Sequence, residues 1–256
     1  MCVPCRNLIF IELNTDAGIS GLGEATLANR TDRPISGVFA VVPAGNPTPQ
    51  WGTFTIDPGT QFTVPNLFET LRGVGFDIPH GTVASLVFEL LDGTFDPNGN
   101  RPPGVPTTEG FLGIRTYTTR ASGKVGLAYA YSPLGSSADT QAFVYGLQQT
   151  GVRGKEGGTR SNLAVVHALG GQVEDLTLDV TYFGPDGREL GKEPACGPCT
   201  LKPGEWRQFN TPLERFGVPN GWARVTRVAG SDQLLTYGVL NDQGSDDGSY
   251  VPMVVP

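Results

Sequence analysis

One short segment of the chain occurs twice, and this repetition restricts the possible folds more than any other feature. Residues 201–209 (LKPGEWRQF) have an earlier counterpart in residues 56–64 (IDPGTQFTV). Each copy has an apolar residue, a Pro-Gly turn and an alternating run typical of a strand. The similarity continues downstream, where residues 68–71 and 213–216 begin and end with apolar side chains. The pattern therefore predicts one structural module used twice.

The glycines and prolines indicate which kind of module this is. The 256 residues include 36 Gly and 21 Pro, spread between short apolar runs rather than gathered in one low-complexity block. Turn signals at intervals of about 8–12 residues between short strands are typical of β-sandwiches. We therefore predict an all-β fold of two tandem β-sandwich domains related by an internal repeat. The expected boundaries are 1–133 for domain 1, with a long loop at 92–110, then a linker at 134–140, and 141–256 for domain 2.

The strongest single strand signal is residues 83–91 (VASLVFELL), which are apolar enough to predict a central strand buried on both faces. Within the repeat, residues 222–228 correspond to residues 85–90, and residues 162–168 correspond to residues 7–11. The best helical candidate is residues 65–73, which predict one or two amphipathic turns.

The charge of the chain excludes one class of partner. The net charge is −7 and the 18 basic residues are scattered, so no basic footprint is available for a nucleic acid. No apolar run approaches the roughly 20 residues that cross a bilayer, so no membrane span is expected. Residues 1–5 lack the basic and apolar regions of a signal sequence, and none is visible in this numbering. Strands rich in Ser, Thr and Gly with few Lys favour an extracellular or cell-surface protein, and the alternative is a cytosolic one.

The cysteines form two Cys-x-x-Cys pairs, Cys2 with Cys5 and Cys196 with Cys199. The second pair (CGPC) has the letters of a thioredoxin-type redox site, whose reactive thiol needs a helix N-terminus behind it. Here two predicted strands flank the motif. Two such pairs could also hold a tetrahedral metal ion. Disulfides in an oxidising compartment are the favoured interpretation, and their connectivity stays open.

Histidines and tryptophans are too few or too scattered to define a site. Neither His80 nor His167 has a nucleophile in an elbow motif nearby, so the sequence predicts no catalytic triad and no enzyme. Trp51, Trp206 and Trp222 could form a platform for stacking carbohydrate. Packing in a core or an interface is the favoured interpretation, because sequence spacing does not place them on one face.

Acidic loop residues are weak candidates for calcium ligands. Asp242, Asp246 and Asp247 lie in a flexible segment (NDQGSDDG) with the hard oxygen ligands that Ca²⁺ prefers. Turn formation explains the same residues and is favoured, so the sequence predicts no firm metal site and no cofactor.

Residues 10–25 (FIELNTDAGISGLGEA) resemble the opening hairpin of the capping domain in enolase-superfamily enzymes. In that family the hairpin precedes a barrel that carries the catalytic residues, and no strand–helix alternation follows here. A β-hairpin with a glycine turn accounts for these residues equally well, so no catalytic residue is transferred.

A broader resemblance covers most of the second half and, more faintly, the first half. Residues 160–166 (RSNLAVV), 201–208 (LKPGEWRQ), 237–242 (YGVLND) and 248–252 (GSYVP) resemble segments of Ig-like repeats in uncharacterised secreted bacterial proteins. The resemblance implies Ig-like β-sandwich domains and an extracellular setting. It implies no activity.

Taken together, these features predict a non-catalytic extracellular protein with a structural, adhesive or assembly-forming role, such as a filament subunit. The apolar terminal segments 7–13 and 249–255 are expected to be edge strands that pair with another copy or with a cell-surface partner. Their interface candidates are Ile9, Ile11, Tyr250 and Val254. The alternatives are a glycan- or Ca²⁺-binding module and a redox protein that uses its Cys-x-x-Cys pair.

Overall fold

The computed structural model describes residues 7–11, 22–46, 48–95, 110–120, 123–130, 132–133, 137–151, 157–168, 174–197, 200–244 and 248–256. Within these ranges the chain is mostly strand, arranged in four antiparallel sheets. The predicted all-β sandwich fold is therefore confirmed. The chain divides into two compact units, Met1–Thr118 with Ala128–Gly135, and Thr119–Leu127 with Ser136–Pro256.

The first half of the chain contributes nine strands and one helix to the described structure. The strands are β1 (Asn7–Ile11), β2 (Leu22–Asn29), β3 (Ile35–Pro43), β4 (Gln50–Ile56), β5 (Gln61–Val64), β6 (Ala84–Asp92), β7 (Gly110–Arg120), β8 (Gly123–Ala130) and β9 (Ser132–Pro133), and helix α1 (Leu67–Gly73) follows β5. They form two sheets, in the orders β4-β3-β6-β1-β9 and β5-β2-β7-β8. Strand β6 lies between β3 and β1 and is buried from Ala84 to Leu91, which confirms the predicted central strand.

The second half contributes eight strands and a short 3-10 helix. The strands are β10 (Gln141–Gln148), β11 (Thr159–His167), β12 (Thr177–Phe183), β13 (Glu189–Pro194), β14 (Trp206–Asn210), β15 (Asn220–Ala229), β16 (Leu234–Asp242) and β17 (Gly248–Pro252), and the 3-10 helix is Glu214–Phe216. Their sheet orders are β10-β15-β12-β13 and β14-β11-β16-β17. The inward side chains of both sheets, among them Val144, Leu163, Val180 and Val225, form one hydrophobic core.

The strand order of the second unit matches that of the first. Read from its far edge, β13-β12-β15-β10 corresponds to β4-β3-β6-β1, and β14-β11-β16-β17 corresponds to β5-β2-β7-β8. The registers agree as well, since Ala25 lies opposite Val64 and, in the second unit, Leu163 lies opposite Phe209. A duplicated module would produce this agreement, and the duplication itself stays a prediction.

The proposed correspondence of residues 162–168 with residues 7–11 was wrong by one strand. Strand β11 takes the position of β2, and the counterpart of β1 is β10, which the sequence did not predict. Strand β10 begins directly after the expected linker at 134–140. Its alternation is interrupted by a register shift between Val144 and Leu147, so the period-two signal is short.

Both copies of the repeated Pro-Gly stretch form the same local structure. Gly59 and Gly204 have positive φ angles of 64° and 77°, which glycine adopts without steric strain. Asn66 and Thr211, also with positive φ at 55° and 46°, then turn the chain into α1 and the 3-10 helix. The predicted turns at 58–59 and 203–204 and the short helix near 65–73 are therefore confirmed.

A residue with a buried polar side chain is bonded through its backbone to the segment around each Pro-Gly turn. The backbone N–H of Asn29 donates to Thr60 O at 2.9 Å, and the backbone N–H of His167 donates to Glu205 O, also at 2.9 Å. The two side chains are 2% and 0% exposed. They occupy equivalent positions at the ends of β2 and β11, although the residue types differ.

These two side chains bind the backbone of the loops around them. Asn29 Nδ2 donates to Arg33 O at 2.7 Å and to Ile56 O at 3.1 Å. His167 Nε2 lies 2.7 Å from Glu174 O, and Nδ1 lies 3.0 Å from Ala168 O. Asn29 thus donates to two carbonyl groups that burial would otherwise leave without a partner, and the N–H of a neutral His167 ring donates to one of its two carbonyl neighbours.

Candidate functional site

The outer face of the sheet β10-β15-β12-β13 carries the most distinctive group of side chains in the second unit. Alternation along a strand decides which residues point there. In β15, Ala223 and Val225 are fully buried in the core, so Trp222 and Arg224 point outward. In β12, Tyr182 belongs to the core and Phe183 therefore points outward.

Strand β10 adds two aromatic rings to this outer face. Phe143 alternates with the core residue Val144 and lies opposite Arg224 on β15. The register shift between Val144 and Leu147 lets both of these residues reach the core while Tyr145 stays outside. Tyr145 is 47% exposed, the largest exposure among the four rings. We call Phe143, Tyr145, Phe183, Trp222 and Arg224 the aromatic face.

The four rings of the aromatic face form one cluster, in which Phe143, Tyr145 and Trp222 contact one another and Phe183 stacks on Trp222. Phe143 and Tyr145 are stacked with centroids 5.9 Å apart, and Tyr145 lies 5.5 Å from Trp222. Trp222 in turn stacks on Phe183 with a centroid distance of 3.8 Å and an interplanar angle of 8°. Because each ring is held by a neighbour, little side-chain entropy remains to be lost when a partner binds.

Arg224 is a cation of this face and has no ion-pair partner among the described residues. Its guanidinium carbon lies 5.3 Å from the centre of the Phe183 ring, within the range of a cation–π contact. Its Nε is buried and has no hydrogen-bond partner in the described part of the chain. The nearest opposite charge on β12, Asp179, is bound by Lys192 at 2.6 Å. Glu189, which lies opposite Phe183 on β13, adds an exposed carboxylate, so the face is apolar and carries charges of both signs.

The structure separates the three tryptophans that were considered as a common platform. Trp51 is on β4 of the first unit and is 55% exposed. Trp206 is on β14, in the other sheet of the second unit, and its Nε1 is buried without a partner among the described residues. Only Trp222 belongs to the aromatic face. Sequence reasoning missed Phe143, Tyr145, Phe183 and Arg224.

The cysteine region has the surroundings of a structural site. Cys196 is 8% exposed and packs in the core. Cys2, Cys5 and Cys199 lie outside the described residues. Arg207 Nη2 donates to Cys196 Sγ at 3.7 Å and is paired with Glu205 at 2.9 Å. The described chain after Cys199 forms a bridge at Leu201, a turn and β14, so it provides no helix N-terminus for a redox thiol.

The two histidines have different environments. His167 is fully buried and bonded to the backbone, with Asp232 Oδ2 at 3.8 Å. His80 has a side chain that is 81% exposed and lies 3.6 Å from Glu69. Neither arrangement resembles a nucleophile–base pair.

Several ionisable groups have shifted pKa values with structural causes. A hydrogen bond from Lys202, reinforced by one from Thr200, lowers the pKa of Asp175. Burial raises the pKa of Tyr182 far above its usual range, and Glu193, which accepts its O–H at 2.8 Å, adds to the effect. These groups stabilise loops and the core, and none borders the aromatic face.

Of the three calcium-ligand candidates, Asp242 lies within the described residues. Asp242 Oδ1 accepts the N–H of Gly244 at 2.7 Å, which is the turn-forming role. Asp246 and Asp247 lie outside the described residues. Across the described ranges, no group of three or more His, Cys, Asp and Glu side chains is placed to hold a metal ion.

The predicted interface residues have varied environments. Strand β1, which contains Ile9 and Ile11, lies between β6 and β9. Its residues Asn7 and Leu8 pair with β9, so the expectation that β1 is a free edge was wrong at these two residues. Strand β17 does lie at the edge of its sheet among the described strands.

The two remaining candidates, Tyr250 and Val254, differ in how much of the side chain is accessible. The Tyr250 ring packs 5.4 Å from Tyr237, and burial raises the pKa of Tyr250 to about 12. Val254 exchanges backbone hydrogen bonds with Phe143 and remains 49% exposed. No helix in the described structure has the length and apolar character needed to cross a membrane.

Comparison with known proteins identifies no family. No protein-family model matches the sequence, and no curated protein is similar to it. Among solved structures, the chain is similar to a Bacteroides uniformis β-glucuronidase 2 at 12% identity and a TM-score of 0.22. It is similar to the apo form of B. uniformis β-glucuronidase 3 at 10% identity and a TM-score of 0.17. The alignments cover 97% of this chain but only 25% and 26% of those proteins, and scores this low carry no argument about activity.

Proposed function

We propose that this chain is a non-catalytic extracellular adhesive protein and that the aromatic face is its binding surface. The observation that carries the proposal is Tyr145, an exposed ring that contacts Phe143 and Trp222 on the face that also carries Arg224. Tyr, Trp, Phe and Arg are the residues enriched at the energetic centres of protein interfaces. A rigid, outward group of this composition suits a binding surface.

The environment of the histidines supports a non-catalytic role. His167 uses both ring nitrogens on backbone carbonyls, and His80 stands in an exposed turn. The tyrosines with raised pKa values are buried rather than presented to a substrate. The described residues therefore offer structural explanations for the groups that could otherwise perform acid–base chemistry.

Adhesion should depend on the aromatic face and leave the bound surface chemically unchanged. We expect wild-type protein to be retained on at least one surface of a panel of insoluble cellulose, chitin, polygalacturonate gel and mucin-coated beads. Removing the exposed ring and its half-buried neighbour in a Tyr145→Ala/Trp222→Ala variant should weaken retention about thirtyfold or more, because each aromatic side chain at the energetic centre of an interface contributes about 2 kcal/mol.

The adhesion assay includes two controls. Trp51→Ala removes an exposed aromatic side chain from the first unit and should leave retention unchanged. Release of reducing sugar from any surface would contradict the non-catalytic role. Undiminished retention of the double variant, or no retention of the wild type, would contradict the proposed binding surface.

The extracellular part of the proposal rests on the cysteines. We propose that Cys196 pairs with Cys199, because a short loop beside the Pro203-Gly204 turn would then be stiffened in an oxidising compartment. The intact mass of protein secreted from a host should increase on reduction, and alkylation should then label Cys196. Four freely alkylated cysteines in the unreduced protein would contradict this setting.

Assembly through exposed apolar side chains is a second candidate role. Val254 and Val255 are neighbours near the C-terminal end of the described chain and are 49% and 43% exposed. Adjacent exposed apolar side chains can pack against another copy. Sedimentation at high concentration should show oligomers that a Val254→Lys/Val255→Lys variant lacks. Val228→Lys, at a site 57% exposed on β15, should leave them intact, and a monomeric wild type would refute this role.

A further inference from the structure

We infer that the ligand of the aromatic face is an acidic polysaccharide, a chain of pyranose rings that bear carboxylate or sulfate groups. This inference rests on the proposed adhesive function and specifies its ligand. Two features of the face point to it together: the cluster of the Phe143, Tyr145 and Trp222 rings, and the guanidinium of Arg224, which has no ion-pair partner among the described residues.

The rings match the apolar part of such a ligand. The C–H faces and edges of pyranose rings are apolar, and they pack favourably against aromatic side chains. Phe143, Tyr145 and Trp222 form a triangle whose ring centroids lie 5.9, 5.5 and 6.1 Å apart. The triangle forms one apolar patch against which a sugar ring of the chain can pack.

The positive charge of Arg224 matches the acidic groups of such a polysaccharide. Burying Arg224 under a neutral sugar would remove water from a guanidinium whose Nε already lacks a partner, which is unfavourable. A carboxylate or sulfate on the sugar would instead form charge-assisted hydrogen bonds with the fork of N–H groups. Asp179 does not compete for Arg224, because Lys192 binds it.

The net charge of −7 does not prevent this interaction. At physiological ionic strength, charges more than about 8 Å from the ligand are largely screened, whereas a direct contact with Arg224 is not. Binding of the polysaccharide should therefore depend on the direct contact with Arg224, and its affinity should fall only modestly with added salt. A second copy of this chain would also present acidic loops to the face, so the test must distinguish a copy from a glycan.

Affinity electrophoresis tests the inference with matched polymers at equal concentration: polygalacturonate for carboxylate, dextran sulfate for sulfate, and unmodified dextran as the neutral control. Wild-type protein should be retarded by one or both acidic polymers and not by dextran. Arg224→Gln should weaken binding to the acidic polymers about tenfold or more, the usual effect of losing a charge-assisted pair. Tyr145→Ala should have an effect of similar size.

Two control variants report on non-specific effects. Arg188→Gln removes the same charge from an exposed turn between β12 and β13, and Trp51→Ala removes an exposed ring elsewhere. Both should bind like the wild type. Thermal melts identify any variant that fails to fold. If either Arg224→Gln or Tyr145→Ala fails to fold, the other variant still tests the inference.

Each alternative outcome overturns a distinct claim. Equal retardation by dextran and by the acidic polymers would overturn the preference for acidic sugars while leaving adhesion in place. Retention on chitin or cellulose alone, with no retardation by acidic polymers, would also overturn the preference for acidic sugars and leave adhesion in place. Self-association of the wild type that Tyr145→Ala abolishes would identify a second copy as the occupant and overturn the inference.

Discussion

Replacing His167 by alanine should lower the free energy of unfolding of the second unit by about 3 kcal/mol. The side chain is fully buried, and its ring nitrogens lie 2.7 Å from Glu174 O and 3.0 Å from Ala168 O. Alanine would leave a cavity and would remove the ring N–H that donates to a buried carbonyl. Urea unfolding followed through the second unit's tryptophans measures the loss.

The equivalent substitution in the first unit provides a matched test. Asn29→Ala removes the donor to Arg33 O and Ile56 O, and should destabilise the first unit by about 2 kcal/mol. The exposed His80 supplies the control, since His80→Ala should change the free energy by less than about 0.5 kcal/mol. Unchanged stability in both buried variants would show that these side chains do not support the Pro-Gly turns.

Replacing Gly221 by alanine should destabilise the second unit by about 3 kcal/mol and also weaken binding at the aromatic face. A Cβ at this position would lie 2.3 Å from the backbone oxygen of Phe183, and backbone cannot move aside as a flexible side chain can. Strands β12 and β15 would have to separate where Phe183 stacks on Trp222.

Gly73→Ala is the control for this substitution. No atom lies within 4 Å of a Cβ at Gly73, which is the last residue of α1. Alanine is a better helix former than glycine, so stability should stay equal or rise slightly. Equal melting temperatures for Gly221→Ala and the wild type would show that β12 and β15 tolerate a wider spacing than the structure has.

Much of the fold was predictable because its signals are local. The Pro-Gly turns, the apolar run of β6 and the alternation of β12 each identify a strand or turn from a few adjacent residues. Strand β13 (ELGKEP) was missed because its outward residues are charged and its inward ones are not strongly apolar. Edge strands of this kind carry little hydrophobic periodicity.

The candidate site was harder to predict because it depends on which strands are neighbours. Alternation alone would have placed Trp222 and Arg224 on one face, since they are two residues apart in a predicted strand. Phe143 and Tyr145 come from a strand that was not predicted, and a register shift sets the direction of Tyr145. Phe183 joins them only through the pairing of β12 with β15.

The fluorescence of Trp222 measures most directly whether the aromatic face binds a ligand. A Trp51→Phe/Trp206→Phe variant leaves Trp222 as the only tryptophan of the chain's three. Titration with polygalacturonate should then produce a saturable change in Trp222 emission, and Tyr145→Ala in the same background should remove that change. Saturable binding in the affinity gel without any change at Trp222 would contradict the account, because the ligand would then occupy another surface.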